Sequence, residues 1–490
     1  MLTLLRNKTQ VARLLPLAIM ALAALFRLFD LGLPNTLVFD ETYYVKDAYS
    51  LLLNGVELDW QSDSDDQFAS GDTSGLTGDP SFVVHPPLGK WLIAVGLLVF
   101  GQGNSFGWRI VVALLGIASV WLGMKCAERI FESKIWANLA GLFLAIDGVG
   151  IVLSRTALLD QILGFFALLA FYFLLRDLND NSKYRPWLIA MAICLGLATA
   201  VKWSGLYFLA VFTLYRFLVS AKNNYAAHQK IEAETGKLSK KLWLFPTALE
   251  GVKTLVLVSI PAAISYLVSW WGWFISPSGW DRNYAETNPA TGLVGLLPKP
   301  LQSLWHYHAE IYGFHANLTS SHPYSANPLS WPFMLRPTSF FWDERASGCA
   351  FDTEQTECVS AITSLGNPLI WWGAILATSV LIGSWFRTRD RITSLLLVGV
   401  IAGYVPWLLL MNRTVFEFYV VSFSPWIILI LVFGLKTWYE NSANQIRAKY
   451  LISSFVFLTF LVSLFFYPLW SGMWISYDFW RIHMWLPSWI

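Results

Sequence analysis

Apolar runs of membrane-crossing length recur along this chain, separated by polar links. A spanning helix needs about 20 apolar residues. The pattern predicts such helices at roughly 13–33, 107–129, 135–153, 157–176, 186–201, 203–220, 246–274, 367–386, 392–411, 415–436 and 450–470. The run 88–100 is apolar but too short to cross, and reads as an interfacial or re-entrant helix. The expected fold is an all-α polytopic membrane protein with about eleven transmembrane helices, a single integral membrane domain over 1–490. Two stretches form large loops. The first, 34–106, carries interfacial helices and an acidic tip; the second, 275–366, is aromatic and rich in histidine. The N-terminal run lacks a small-residue cleavage site and is read as the first span rather than as a signal.

Charge gives the pattern a direction. Basic residues of short links gather on the cytoplasmic side of membrane proteins. Arg6, Lys8 and Arg13, then Arg129 and Lys134, Lys183 and Arg185, Lys222 to Lys241, Arg387 to Arg391, and Lys436 to Lys449 all fall on one side if the N-terminus is inside and eleven spans alternate. Both large loops and the tryptophan-rich C-terminus then face outside. That places the chain as a multi-pass protein of the cell (plasma) membrane with an extracytoplasmic working face. Composition agrees: 56% of the 490 residues are hydrophobic and 13% charged, against roughly 25% charged in soluble proteins. A disordered chain is excluded by this composition; a net charge of +2 says little about a polyanionic partner, and no nucleic-acid partner is expected. Cys126 and Cys194 lie in apolar runs, whereas Cys349 and Cys358 lie nine apart in the second loop. The latter two can bridge if that loop faces an oxidising compartment.

Several charged residues stand where charge is expensive. In VFDETYYVKDAYSLL, Asp40 and Glu41 open a helix that follows the first span. One acid suffices to cap it, which leaves the other for proton abstraction. In SFVVHPPLGKWLIAVG, two prolines set a rigid lead-in and Lys90 falls in the first turn of the short helix. Lys90 can snorkel to headgroups or contact a lipid phosphate, and His85 can bind substrate or satisfy its own loop. Arg109, in NSFGWRIVVALLG, borders the second span, and Arg155 and Asp160, in LSRTALLDQIL, border the fourth. Each is a functional candidate or a structural partner, for example Arg109 with a carboxylate of the first loop. Lys202 and Arg413 lie near the outer ends of the fifth and ninth spans. Glu417 is four residues after Arg413, the spacing of a helical ion pair. The histidines of the second loop have no metal-ligand spacing. Nucleotide-binding glycine motifs and a serine-nucleophile elbow are absent from the sequence.

In this order, FDETYY, HPPLGKWLI, WRIVVALLG, SRTALLDQIL and HPYSANPLSWPFMLRP resemble the protein O-mannosyltransferases, over nearly the whole chain. The resemblance is to bacterial members, which lack the β-trefoil insert of the second loop. It implies a GT-C-type glycosyltransferase architecture, and transfer of mannose from polyprenyl-phosphate mannose to Ser or Thr hydroxyls of exported proteins, with inversion at C1. It implies Asp40 as catalytic base with Glu41 beside it, and Arg109 as needed for activity. Charge and side place Lys90, Arg109 and Arg413 at the donor phosphate. His85, Arg155, Asp160, His322 and Asn327 are assigned to support or to the acceptor. No tightly bound cofactor is expected; the lipid-linked sugar is a co-substrate, and a divalent-metal requirement is left open. The implied partners are the membrane, secreted Ser/Thr-containing polypeptides and, as a further candidate, the export translocon. Two alternatives remain: a lipid-phosphate-sugar transferase acting on a glycan or lipid, and a lipid or sugar transporter. The discontinuous helices of transporters are not evident.

Overall fold

The computed structural model describes residues 2–180, 182–235, 241–349 and 357–490. Helices stand at all the apolar runs: α1 (Leu2–Leu28), α2 (Glu41–Asn54), α3 (Leu88–Phe100), α4 (Ser105–Phe131), α5 (Lys134–Ile146), α6 (Gly148–Arg155), α7 (Leu159–Asp177) and α8 (Pro186–Val201). They continue with α9 (Gly205–Thr235), α10 (Lys241–Ser269), α11 (Lys299–Asn317), α12 (Pro368–Thr388), α13 (Arg391–Gly403), α14 (Ser424–Asn441) and α15 (Gln445–Ser471). Among the described residues, six helices are long and apolar enough to cross a membrane: α4, α7, α9, α10, α12 and α15. The pair α5–α6 meets the same criteria together but bends by 55°. Residues 14–28 of α1, with α3, α8 and α13, are apolar but shorter.

The bend falls at Asp147, inside what reads as one apolar run. A break frees backbone carbonyls that an apolar surrounding leaves without water. Here they find partners: Arg27 donates to the Leu144 and Ala145 carbonyls, each at 3.0 Å, and the Ser463 hydroxyl donates to Ile146 at 2.8 Å. Asp147 itself accepts from Asn367 N and from the Trp371 indole. Arg155 does the same at the end of α1, donating to the carbonyls of Phe26, Arg27, Phe29 and Asp30. A cation on the last carbonyls of a helix also meets its negative dipole end.

The loops are not purely helical, which corrects the all-α expectation. In the first, β1 (Leu58–Trp60) pairs antiparallel with β2 (Leu76–Pro80). In the second, β3 (Thr338–Arg345) and β4 (Cys358–Ser364) form a hairpin, extended by β5 (Trp474–Ser476) from the C-terminus. The β-branched and aromatic content of TSFFWDER and CVSAITS favours a pleated, half-buried surface. The β4–β5 pairing joins strands over a hundred residues apart and is invisible to a local reading. Cys349 and Cys358 are bridged across this hairpin, Cα to Cα 5.4 Å. The Trp474 ring lies under the Arg345 guanidinium at 4.1 Å.

Small residues set the position of the short helix that leads away from the first loop. A Cβ added at Gly96 of α3 would collide with the Gly107 carbonyl oxygen of α4. The two backbones therefore touch, a packing only glycine permits. Gly96→Val is expected to force the helices apart at about 1–3 kcal/mol. The check is a lower midpoint of thermal unfolding in detergent than that of the unaltered protein.

Candidate active site

A cleft of about 590 Å³ opens between the start of α2, the loop before α3, the end of α8 and the segment 413–419. Asp40 lies on its wall, with Tyr44, Asp47, His85, Lys90, Lys202, His315, Arg413 and Tyr419. The local chain explains how the acid comes to face it. Phe39 holds a left-handed backbone, φ +50°, and α2 begins immediately after Asp40. Asp40 stands at the N-cap position but makes no capping bond with its side chain. The carboxylate instead accepts from the Tyr44 hydroxyl, one turn on, at 3.3 Å. Burial holds the Asp40 carboxyl up at about 6, against the opposing pull of Lys202.

Glu41 plays the opposite part. Its carboxylate is fully buried and accepts from Arg109 Nε and Nη2, both at 2.8 Å, from Val38 N at 3.0 Å and from Ala157 N at 2.7 Å. Arg109 gives its remaining donors to the carbonyls of Leu31, Pro34 and Thr36. Neither residue lines the cleft. Placing Arg109 at a donor phosphate is thus corrected: no guanidinium donor is left for a phosphate oxygen. Arg155, committed to the end of α1, also stands away from the cleft.

Lys90 lines the cleft but is not a free cation. Its ammonium forms a close ion pair with Glu57, lies 3.7 Å from Asp47 and donates to the His85 carbonyl at 3.3 Å. Glu57, read in the sequence as part of a solvated acidic tip, is in fact buried. Two carboxylates around one ammonium leave no net positive charge there, and burial raises the Asp47 carboxyl to about 7.

Three further cations line the cleft: Lys202, Arg413 and Lys46, the last paired with Asp65. Lys202 is gripped by both oxygens of Asp160, at 2.9 and 3.1 Å, and sits 4.6 Å above the Tyr419 ring. Asp160 thereby supports the cleft through Lys202 without lining it. Arg413 donates from Nε to the His315 carbonyl at 3.2 Å, and its Nη2 lies 3.0 Å from His315 Nδ1. The expected Arg413–Glu417 pair does not form, because 412–416 is not helical; Glu417 instead accepts from Arg336 N. His315 Nε2 donates to Val84 O at 3.0 Å, and its ring stacks on His85 at 5.3 Å. Burial and the neighbouring cations keep both imidazoles neutral, with His315 lowered to about 4.

His322 and Asn327 lie outside this wall. His322 Nδ1 accepts from Tyr324 N, its ring packs on Phe416, and Asn327 caps the turn Pro328–Phe333. Among the described residues, no group of three or more His, Cys, Asp or Glu side chains is arranged to hold a metal ion. Sequence reasoning gave no role to Tyr44, Asp47, His315 or Tyr419. Tyr44 carried a signal, being four residues from Asp40 on one helical face.

Residues 17–272 match the family described as Dolichyl-phosphate-mannose-protein mannosyltransferase, and residues 300–489 match the C-terminal four TMM region of protein-O-mannosyltransferase. The Polyprenol-phosphate-mannose–protein mannosyltransferase of Mycobacterium tuberculosis is 32% identical, over 96% of this chain and 90% of its own. That of Mycolicibacterium smegmatis is 33% identical, over 96% and 92%. The protein O-mannosyltransferase Pmt1-Pmt2 complex of S. cerevisiae, solved bound to the sugar donor, superposes on this fold with a TM-score of 0.74 at 16% identity, covering 98% of this chain and 92% of the matched one. Matched over nearly its whole length by both halves of that enzyme, this chain belongs to the dolichyl-phosphate-mannose–protein mannosyltransferase family.

Proposed function

We propose that this protein transfers mannose from a polyprenyl-phosphate mannose donor to Ser or Thr hydroxyls of exported polypeptides. Asp40 is the general base. The observation that carries the reading is that one cleft brings together a half-buried carboxylate, bonded to a single tyrosine hydroxyl, with Lys202 and Arg413. A serine hydroxyl is a weak nucleophile, and a carboxylate within hydrogen-bond reach takes its proton as the oxygen attacks C1. The leaving group is a lipid phosphate, which needs positive charge rather than a proton. Arg413, held by no carboxylate among the described residues, and Lys202, held by one, supply that charge in this reading; Lys90, flanked by two, does not. One base and one leaving-group site suit a single displacement with inversion, without the second carboxylate of a retaining mechanism. Glu41 and Arg109 hold Asp40 in place and touch no substrate.

The same proposal covers topology. Eleven spans follow if residues 14–28 of α1, the bent pair α5–α6, α8, α13 and α14 are counted with the six long apolar helices. Lys and Arg of the short links then lie on the cytoplasmic side. The loops 34–106 and 275–366, and with them the cleft, face the outside of the cell membrane, where an oxidising environment suits the Cys349–Cys358 bridge. Nascent chains emerging from an export translocon are acceptors that such a cleft would meet.

The direct test is incubation of the purified protein with polyprenyl-phosphate mannose and a Ser/Thr peptide. The expected product is the peptide heavier by one hexose; hexose appearing only on a glycan or lipid acceptor would overturn the reading. Asp40→Asn should lower turnover by about 10²- to 10⁴-fold while the protein still inserts and purifies. Wild-type turnover in that variant removes Asp40 from the mechanism. Because the carboxyl is held up at about 6, the active, ionised base is lost as pH falls through that value. The expected profile of kcat/KM for the donor is flat above pH 7 and declines by about tenfold per unit below 6. A profile flat from pH 5 to 8 would contradict it.

A further inference from the structure

The residue before Asp40 stands in a conformation that bulky side chains avoid. Phe39 has φ +50°, which for a residue of this size is an outlier. Such a conformation persists only where the surroundings over-determine it. Here the surroundings are aromatic. The Phe39 ring stacks on Phe340 at 4.9 Å and meets the edges or faces of Phe418 at 5.6 Å, Phe416 at 5.8 Å and His322 at 6.1 Å. Phe340 belongs to β3 of the second large loop, and Phe416 and Phe418 to the segment that also brings Arg413 and Tyr419 to the cleft.

On the other side of Phe39, the backbone is fixed by Glu41. Val38 N donates to that carboxylate and Glu41 N to the Val38 carbonyl, each at 3.0 Å. A chain pinned at 38 and 41, with its left-handed turn at 39, fixes the backbone from which the Asp40 side chain leaves toward the cleft. We propose that Phe39 is a positioning residue, and that the aromatic clamp from Phe340, Phe416 and Phe418 holds its left-handed turn so that Asp40 faces the cleft. The ordered second loop and the aim of the base are then one device. This rests on Asp40 being the base.

The test measures mannosyl transfer by the purified full-length protein from polyprenyl-phosphate mannose to a Ser/Thr peptide. Variants are Phe39→Ala, Phe39→Tyr and Phe340→Ala, with Asp40→Asn in parallel. Misaiming a catalytic group by about 1 Å costs up to about 10²-fold. Phe39→Ala is expected to lower kcat by about ten- to a hundredfold, with KM for the donor changed by less than about twofold and the acid-side midpoint of the pH profile displaced. Phe39→Tyr, which keeps the stacked ring, should lose less than Phe39→Ala. Phe340→Ala should lower kcat in the same sense although it does not line the cleft, and the double variant should fall short of the product of the two single losses. A folded Phe39→Ala, or Phe340→Ala where Phe39→Ala does not fold, with wild-type kcat and pH profile overturns the proposal, as does a loss confined to KM. Wild-type transfer in Asp40→Asn would instead sink the assignment of the base.

Discussion

One buried carboxylate organises the part of this protein that frames the cleft. Glu41 has no access to water, so its charge must be met inside the fold. Arg109 meets it with two parallel bonds, the geometry in which a guanidinium grips a carboxylate best. Two backbone N–H groups complete the shell, one from Val38 and one from Ala157. The remaining Arg109 donors satisfy carbonyls at 31, 34 and 36. The link after α1, the first turn of α2, the outer part of α4 and the link between α6 and α7 are therefore joined at one point. Breaking such a pair by removing one partner leaves a lone buried charge, at about 3–5 kcal/mol. That cost makes the pair a rigid reference from which the neighbouring Asp40 is aimed.

The doublet shows how environment separates two chemically similar acids. Glu41 has every oxygen lone pair directed at an N–H and nothing to offer a substrate. Asp40, one residue away, has a single phenol partner and a wall of the cleft before it. Burial with little hydrogen bonding raises the Asp40 carboxyl, which suits a group that accepts a proton, whereas the four N–H bonds of Glu41 suit an anchor.

Much of the architecture was legible in the apolar runs, since every one coincides with a helix. The division at Asp147 was not, because one carboxylate in an otherwise continuous run does not announce a bend; Arg27 and Ser463, far away in sequence, make it tolerable. The strands were missed because β5 comes from the chain terminus and pairs with β4 over a hundred residues earlier. At the site, the residue types of the first loop pointed to the right region. What sequence could not assign was which charges were already spent. Arg109 finds Glu41 across 68 positions, and Lys90 finds Glu57 after a turn and a strand. Lys202 and Arg413, read in the sequence as charges at span ends, line the cleft with Asp40.

The distribution of charge along the cleft also constrains how the proposed displacement proceeds. As the bond from C1 to the phosphate oxygen breaks, negative charge accumulates on the phosphate, while the acceptor proton moves to Asp40. A low-dielectric cleft magnifies both changes. His85 and His315 also line the cleft and stay uncharged, so they add dipoles and hydrogen bonds without a competing positive charge. Asp160 holds Lys202 by two oxygens, and His315 holds Arg413. Both cations are thus fixed before a substrate arrives, and little reorganisation is left for the moment of transfer.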